Sequence, residues 1–389
     1  MTRHYDVAAI RRQFSVTERL LYLDSAHQTP LATSVRDALM RFYREGSETA
    51  GPKPVWLDRV EQVRARVAKL LNAQPSEIAF TKNTSEGMNI AANALPLTAG
   101  DNVLLVEGDH PNNAYAFLNL RRRGVEVRFV PISGATARAE MFAPHIDGRT
   151  RAISLSHVTF HAGHRFDLAS IGALCAERGL YFVVDAMQST GVVPLDVKAS
   201  GASLIGSGCH KGLLVPQGLG ILYCRQDLVE LQPAYMAMSS LADPPGDYIA
   251  RADNMALKPG AGRFEIGNVN LPDIHALDAA LSLIESVGVA AIEAHLQDLG
   301  DRLIEHIDAL GIRLVGPRAR ADRSPHIYVL DLPAQDWADY LASRQVRVSP
   351  ERDGIRVSFG LFNNAGDVDR FAQILTERRD MLPRARDVA

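Results

Sequence analysis

Residues 206–224 read GSGCHKGLLVPQGLGILYC. This stretch decides the fold, because it ends one short apolar strand, ASLIGSG, turns through a loop rich in glycine, and opens another strand, GILYC. Lys211 lies in the loop between His210 and a run of Gly, Leu, Leu and Val, with no acid anywhere in the stretch. An ammonium group in apolar surroundings loses hydration, so its amine is expected to be held partly neutral and nucleophilic.

Working outward, the chain alternates between two periodicities. Upstream of the stretch, LYFVVDA is strand-like and ends at Asp185, DLASIGALCAERG is helical, and RAISLSHV and VEVRFVP are strands. Before them come the helix NNAYAFLNLRRRG, the strand NVLLVE, the helix SEGMNIAANAL and the strand EIAFT. In SEGMNIAANAL, Ser85 is the expected N-cap, with Glu86 in the first turn. Residues 55–71, VWLDRVEQVRARVAKLL, carry apolar positions at helical spacing. Short, nearly all-apolar strands between helices of ten or more residues predict an α/β domain around a mostly parallel sheet.

Residues 240–262 are irregular and rich in Pro, Gly and Asp, and read as a functional or interface loop. Two long helices over 271–310 follow, then the mixed pattern of a small α+β domain, with the final RARDVA read as a frayed tail. The expected division is an N-terminal segment 1–20 that joins the small domain, a large domain 21–262, and 263–389 as interface segment, linking helices and small C-terminal domain. A chain of 389 residues exceeds the usual size of one core, which agrees with two domains.

The totals narrow the function classes. A hydrophobic fraction of 47% and a charged fraction of 22% are ordinary for a globular chain, and a net charge of −3 argues against nucleic acid as partner. Three scattered cysteines, Cys175, Cys209 and Cys224, form no CxxC pair, which fits a reducing compartment. The N-terminus has no apolar signal core, and no run reaches the ~18 apolar residues of a membrane span, so the expectation is a cytoplasmic enzyme without a membrane partner. Only six lysines occur among 42 basic residues, so Lys211 can be weighed individually.

In an open parallel sheet, ligands bind at the carboxyl ends of the strands. Lys211, Asp185, Asp109 with His110, and Ser156 with His157 all fall just after predicted strands, while Thr84 and Ser85 join a strand to a helix start. Helix N-termini favour anions, and hydroxyls add hydrogen bonds. A lysine amine, a buried acid, a histidine and a phosphate-type helix start on one edge would all be used by one ligand, a pyridine aldehyde carrying a phosphate. Lys211 would form an imine with it, and the acid would keep the pyridine nitrogen protonated.

With these blocks in this order, from YLDSA at Tyr22 to VDRFAQIL, the sequence resembles the class V aminotransferases of fold-type I pyridoxal-phosphate enzymes, including the cysteine desulfurase and isopenicillin-N-epimerase-like branches. The resemblance implies pyridoxal 5'-phosphate as cofactor and a homodimer with its active site at the subunit interface. It matches Lys211 to the lysine that carries the cofactor, Asp185 to the acid at the pyridine nitrogen, Gln188 to a residue near the ring hydroxyl, and His110 to the histidine stacked on the ring. Thr84, Ser85 and His210 match phosphate contacts, and Gly267 with Asn268 a stretch that reaches the phosphate from the partner subunit. Arg356 matches the arginine that grips a substrate α-carboxylate, and Ala26 a backbone position near the substrate.

Three departures matter. Desulfurases carry a nucleophilic cysteine on a loop before the matched arginine, whereas VRVSPERDGIRVSFG is shorter and has none. Phe160 stands where desulfurases often have a polar residue, and Asn268 where they usually have threonine. Persulfide chemistry is therefore disfavoured. The expected activity is aminotransfer on an amino acid or related amine, with β-elimination or epimerisation as alternatives, and a regulatory protein of the same fold as the non-enzymatic one. His157, His161 and His164 form H-x3-H-x2-H, but they flank Gly163 without helical register, so no metal site is expected. Arg263 is expected to be structural, paired with Glu265 or another acid, and Cys175 to be core.

Overall fold

The computed structural model describes residues 5–132 and 137–382, so the RARDVA tail lies outside the described residues. The strands are β1 Leu21–Tyr22, β2 Ile78–Thr81, β3 Asn102–Val106, β4 Glu126–Val130, β5 Thr150–Ser156, β6 Tyr181–Asp185, β7 Leu204–Gly208, β8 Gly220–Cys224, β9 Leu314–Val315, β10 Ile327–Leu330, β11 Val346–Arg347, β12 Ser349–Glu351 and β13 Gly354–Ser358. The helices are α1 Val7–Arg11, α2 Thr33–Thr49, α3 Lys53–Leu71, α4 Thr84–Ala94, α5 Pro111–Leu118, α6 Leu168–Arg178, α7 Val197–Ser200, α8 Leu271–Val287, α9 Val289–Ala309, α10 Ala334–Ser343 and α11 Ala365–Glu377.

Seven strands form the main sheet in the order β2-β8-β7-β6-β5-β3-β4. Strands β3 to β7 run parallel, and β8 is antiparallel to both neighbours, β7 and β2. Side chains of β6 show why these strands read as continuous apolar runs. Phe182 and Val184 enter the core on one face and Val183 the core on the other, each fully buried. Helices thus cover both faces, as a mostly parallel sheet requires. Register aligns Ser156 with Asp185 and Asp185 with Gly206, so β5 and β6 finish level and β7 runs two residues further to Gly208. Helix α4 lies directly on β7, because a Cβ on Gly87 would come within 3.4 Å of the Gly206 Cα.

The C-terminal layer is a four-stranded antiparallel sheet, β12-β13-β10-β9, backed by α9, α10 and α11. The N-terminal segment docks on it. Arg11 pairs with Asp367 at 2.7 Å, and the Tyr5 hydroxyl donates to the Leu361 carbonyl at 2.6 Å. Strand β1 pairs in parallel with β11.

Two local readings are corrected. The N-cap of α4 is Asn83, whose side chain accepts the Glu86 N–H at 2.9 Å, while Ser85 is already inside the first turn. Asparagine is as good a cap as serine and comes two residues earlier, where the strand exit leaves the backbone extended. Glu265 is taken by Arg64 at 2.7 Å, so Arg263 turns inward instead and donates to the Leu228 carbonyl at 2.6 Å.

Candidate active site

At the carboxyl edge of the main sheet, a cavity of about 380 Å3 is lined by Thr84, Ser85, His110, Asp185, Gln188, His210 and Lys211, together with Lys82, Met187, Phe160 and Gln217. A second cavity of about 610 Å3 continues from it toward the C-terminal sheet and adds Ala26, Arg347, Glu351 and Arg356. Lys211, His110, Phe160, His210 and Gln217 border both. The site therefore sits between the main sheet and the C-terminal sheet.

Burial lowers the Lys211 amine to about 8, helped by the Arg356 charge and opposed by Asp185, Asp24 and Glu351. Among the described residues no carboxylate pairs with it directly. Asp185 is displaced the other way. Burial at the end of β6 raises its carboxyl to about 7, with Asp109 adding to the shift and a 2.9 Å hydrogen bond from the Met187 N–H opposing it. A buried acid poised in this way is paired most readily with a cationic N–H on a ligand.

His110 caps α5, its Nδ1 accepting the Asn112 N–H at 3.2 Å, which leaves the ring proton on Nε2. Its ring stands edge-on to Phe160, with centroids 5.0 Å apart. Burial and then the Lys211 charge keep its pKa down, and burial lowers that of His210 to about 4, so both rings are neutral at pH 7. Asp109 acts as a clamp beneath this corner. Its carboxylate accepts from the His110 N–H at 2.7 Å and the Ser156 N–H at 2.8 Å.

The remaining polar groups fit a flat, phosphorylated aromatic ligand. Gln188 donates to the Ala26 carbonyl at 3.0 Å, while its Oε1 is buried with no hydrogen-bond partner among the described residues. The first N–H groups of α4 have no intrahelical acceptor, and Thr84 and Ser85 add hydroxyls beside them. Gly208 keeps this corner open, since a Cβ there would lie 3.1 Å from Thr84 Oγ1 and 3.4 Å from His210 Nδ1.

Arg356 is buried beside the second cavity and is paired with Glu351 at 2.7 Å. Gly267 and Asn268 line neither cavity; both are exposed on the chain's surface. The three loop histidines diverge. His161 faces Asp353, His157 borders a separate groove with Arg165, and among the described residues no group of His, Cys, Asp and Glu gathers as metal ligands. All three cysteines are buried, with burial raising Cys175 to about 12 and Cys224 to about 11. No single helix among the described residues is long and apolar enough to cross a membrane.

Sequence reasoning missed Glu351 and Asp24. Glu351 could have been found from SPERDGIRVS, where an Asp-Gly turn between alternating strands puts the acid near Arg356.

The sequence model of the aminotransferase class-V family matches residues 21–371, and the chain belongs to that family. Two Schizosaccharomyces pombe proteins are similar to it, an uncharacterized protein at 36% identity over 92% of this chain and 83% of its own, and an uncharacterized aminotransferase at 32% over 95% of both. A probable cysteine desulfurase of Methanothermobacter thermautotrophicus is 30% identical over 79% of this chain and 77% of its own. Among solved structures, the apo cysteine desulfurase of Thermococcus onnurineus superposes with a TM-score of 0.89 at 23% identity, covering 98% of this chain and 100% of that one. The architecture is thus that of fold-type I pyridoxal-phosphate enzymes, and pyridoxal phosphate is the cofactor.

Proposed function

We propose that the protein is an aminotransferase that uses pyridoxal phosphate to act on an amino acid or related primary amine through Lys211. The observation that carries this reading is one cavity joining a lysine amine lowered to about 8, a buried acid raised to about 7 and a helix start bearing two hydroxyls. When bound, the cofactor withdraws electrons from the carbon bearing the amino group and makes its proton labile. Thr84, Ser85 and His210 hold the phosphate, Asp185 keeps the ring nitrogen protonated, Gln188 lies at the ring hydroxyl, and neutral His110 covers the ring face. Lys211 would hold the cofactor at rest and, once released, would take the α-proton, for which an amine half neutral near pH 8 is suited. Arg356, with the Ala26 backbone, receives the substrate carboxylate, and Gly267 and Asn268 reach the phosphate of a partner subunit.

A persulfide route is disfavoured because the β12–β13 hairpin has no cysteine and the three thiols are buried. β-Elimination and epimerisation begin with the same proton abstraction and diverge in the later steps, so products separate them. The holoenzyme is mixed with a panel of amino acids and amines. Aminated cofactor plus a keto acid supports the proposal. Ammonia plus a keto acid with unchanged cofactor means elimination, an inverted α-carbon means epimerisation, and sulfide with alanine means desulfuration. Lys211→Ala is expected to abolish turnover, and full turnover in that variant would remove Lys211 from its role.

A further inference from the structure

Glu351 occupies the place at Arg356 that a substrate carboxylate needs. Arg356 Nη1 pairs with Glu351 Oε1 at 2.7 Å and donates to the Phe160 carbonyl at 3.0 Å. Nη2 donates to Ser349 Oγ at 3.2 Å and lies 3.8 Å from Asp24 Oδ1. Nε is buried and has no hydrogen-bond partner among the described residues. A two-point grip on a carboxylate takes two adjacent N–H groups, so an incoming carboxylate that takes the end-on grip on Nη1 and Nη2 must exchange with Glu351.

The structure also offers the displaced acid a destination. Glu351 Oε2 lies 3.8 Å from Nδ1 of His161, a nitrogen that is buried and has no hydrogen-bond partner among the described residues. The other nitrogen, Nε2, is 2.6 Å from Asp353 Oδ2. An imidazolium donates from both nitrogens, so His161 can hold Asp353 and Glu351 together once it carries a proton. That proton balances the negative charge the new carboxylate brings in.

We propose that Glu351 determines which class of amine the site accepts. Resting on Arg356, it neutralises the guanidinium and leaves a pocket wall suited to a primary amine with no carboxylate beside its amino group. Moved to His161, it frees Arg356 for an α-amino acid. One site then serves two substrate classes, as a transfer between an amine donor and a keto-acid acceptor requires. This inference rests on the aminotransferase reading above.

The test titrates the holoenzyme with L-alanine and with ethylamine, which is the same molecule without the carboxylate. The half-saturating concentration is read from the cofactor's absorption band. Glu351→Gln is expected to shift the ratio of the two concentrations by about tenfold or more in favour of alanine, the equivalent of about 1.4 kcal/mol. His161→Leu, checked for folding by its melting temperature, is expected to shift the ratio toward ethylamine. An unchanged ratio in Glu351→Gln, or a shift toward ethylamine, overturns the proposal. If neither compound perturbs the wild-type spectrum, the aminotransferase reading is left to the amino-acid panel above, and acetate calorimetry decides the role of Glu351 alone. Acetate binding about tenfold tighter in Glu351→Gln than in wild type upholds the exchange, and equal binding rejects it.

Discussion

Lys211 and Asp185 are each held where the charged form is disfavoured, and burial is the leading cause for both. The consequence for stability depends on the sign of the Asp185 shift. Its unfolded value is 3.8 and its folded value about 7, so between these pH values the folded protein without cofactor holds an extra proton. Stability is therefore lost as pH rises toward 7, at about 1.4 kcal/mol per unit of displacement. Asp185→Asn in the cofactor-free protein should flatten the dependence of melting temperature on pH between 4 and 7 and raise the melting temperature at pH 8. The same change should lower turnover of the holoenzyme by about 100-fold, because an amide gives the ring nitrogen no negative charge. Calorimetric melts at pH 5 and pH 8 check the first part and steady-state assays the second. A variant less stable than wild type at pH 8 would mean that Asp185 is held ionised. Both residues were legible because Asp185 ends one apolar strand and Lys211 comes three residues after another. Glu351 was legible only through the Asp-Gly turn that brings it back against Arg356, a weaker signal than a strand end.

At the scale of elements, the α4 start does the most for the site. Asn83 supplies the cap, so neither Thr84 nor Ser85 has to cap its own helix, and the Thr84 hydroxyl instead donates to Met187 Sδ at 2.9 Å at the edge of the cavity. Packing of α4 on β7 brings Gly208 against this corner, and the glycine has a cost if changed. A Cβ at 208 would lie 2.8 Å from Met187 Sδ as well as close to Thr84 Oγ1 and His210 Nδ1. The methionine can swing aside, but the threonine and histidine are the proposed phosphate contacts. Gly208→Ala should weaken cofactor binding about tenfold while melting within a few degrees of wild type, about 1.4 kcal/mol at the site. Equilibrium dialysis of the cofactor measures it, and unchanged affinity would count against Thr84 as a phosphate contact. Most strands were readable because burial on two faces makes them apolar throughout. Helix α2 was not read, since it buries only Val35 and Ala38 and exposes Met40 and Tyr43.

At the scale of the whole molecule, the site is assembled from two sheets, with Lys211 following a strand of the seven-stranded sheet and Arg356 on a strand of the four-stranded one. The order of blocks along the chain disclosed the succession of a mostly parallel sheet and then a smaller antiparallel one. It could not disclose which surfaces a second copy would cover, because that depends on exposed residues far apart in sequence. Met40, Tyr43, Tyr235, Met238, Met255 and Ile266 are exposed apolar side chains, and the last lies next to Gly267 and Asn268. If a second copy brings Asn268 to the phosphate, Asn268→Ala should weaken cofactor affinity by about tenfold or slightly more, the worth of one hydrogen bond to a charged group being about 1.5 kcal/mol. That effect alone would not say whose site the asparagine serves, but hybrid dimers do. Chains carrying Asn268→Ala are mixed with chains carrying Lys211→Ala under dissociating conditions and then reassociated. If Asn268 serves its partner, each hybrid contains one site with Lys211 from one chain and Asn268 from the other, both intact. Cofactor would then bind at wild-type affinity to one of the two sites in a hybrid. If Asn268 serves its own chain, every hybrid site carries a defect and no wild-type affinity returns.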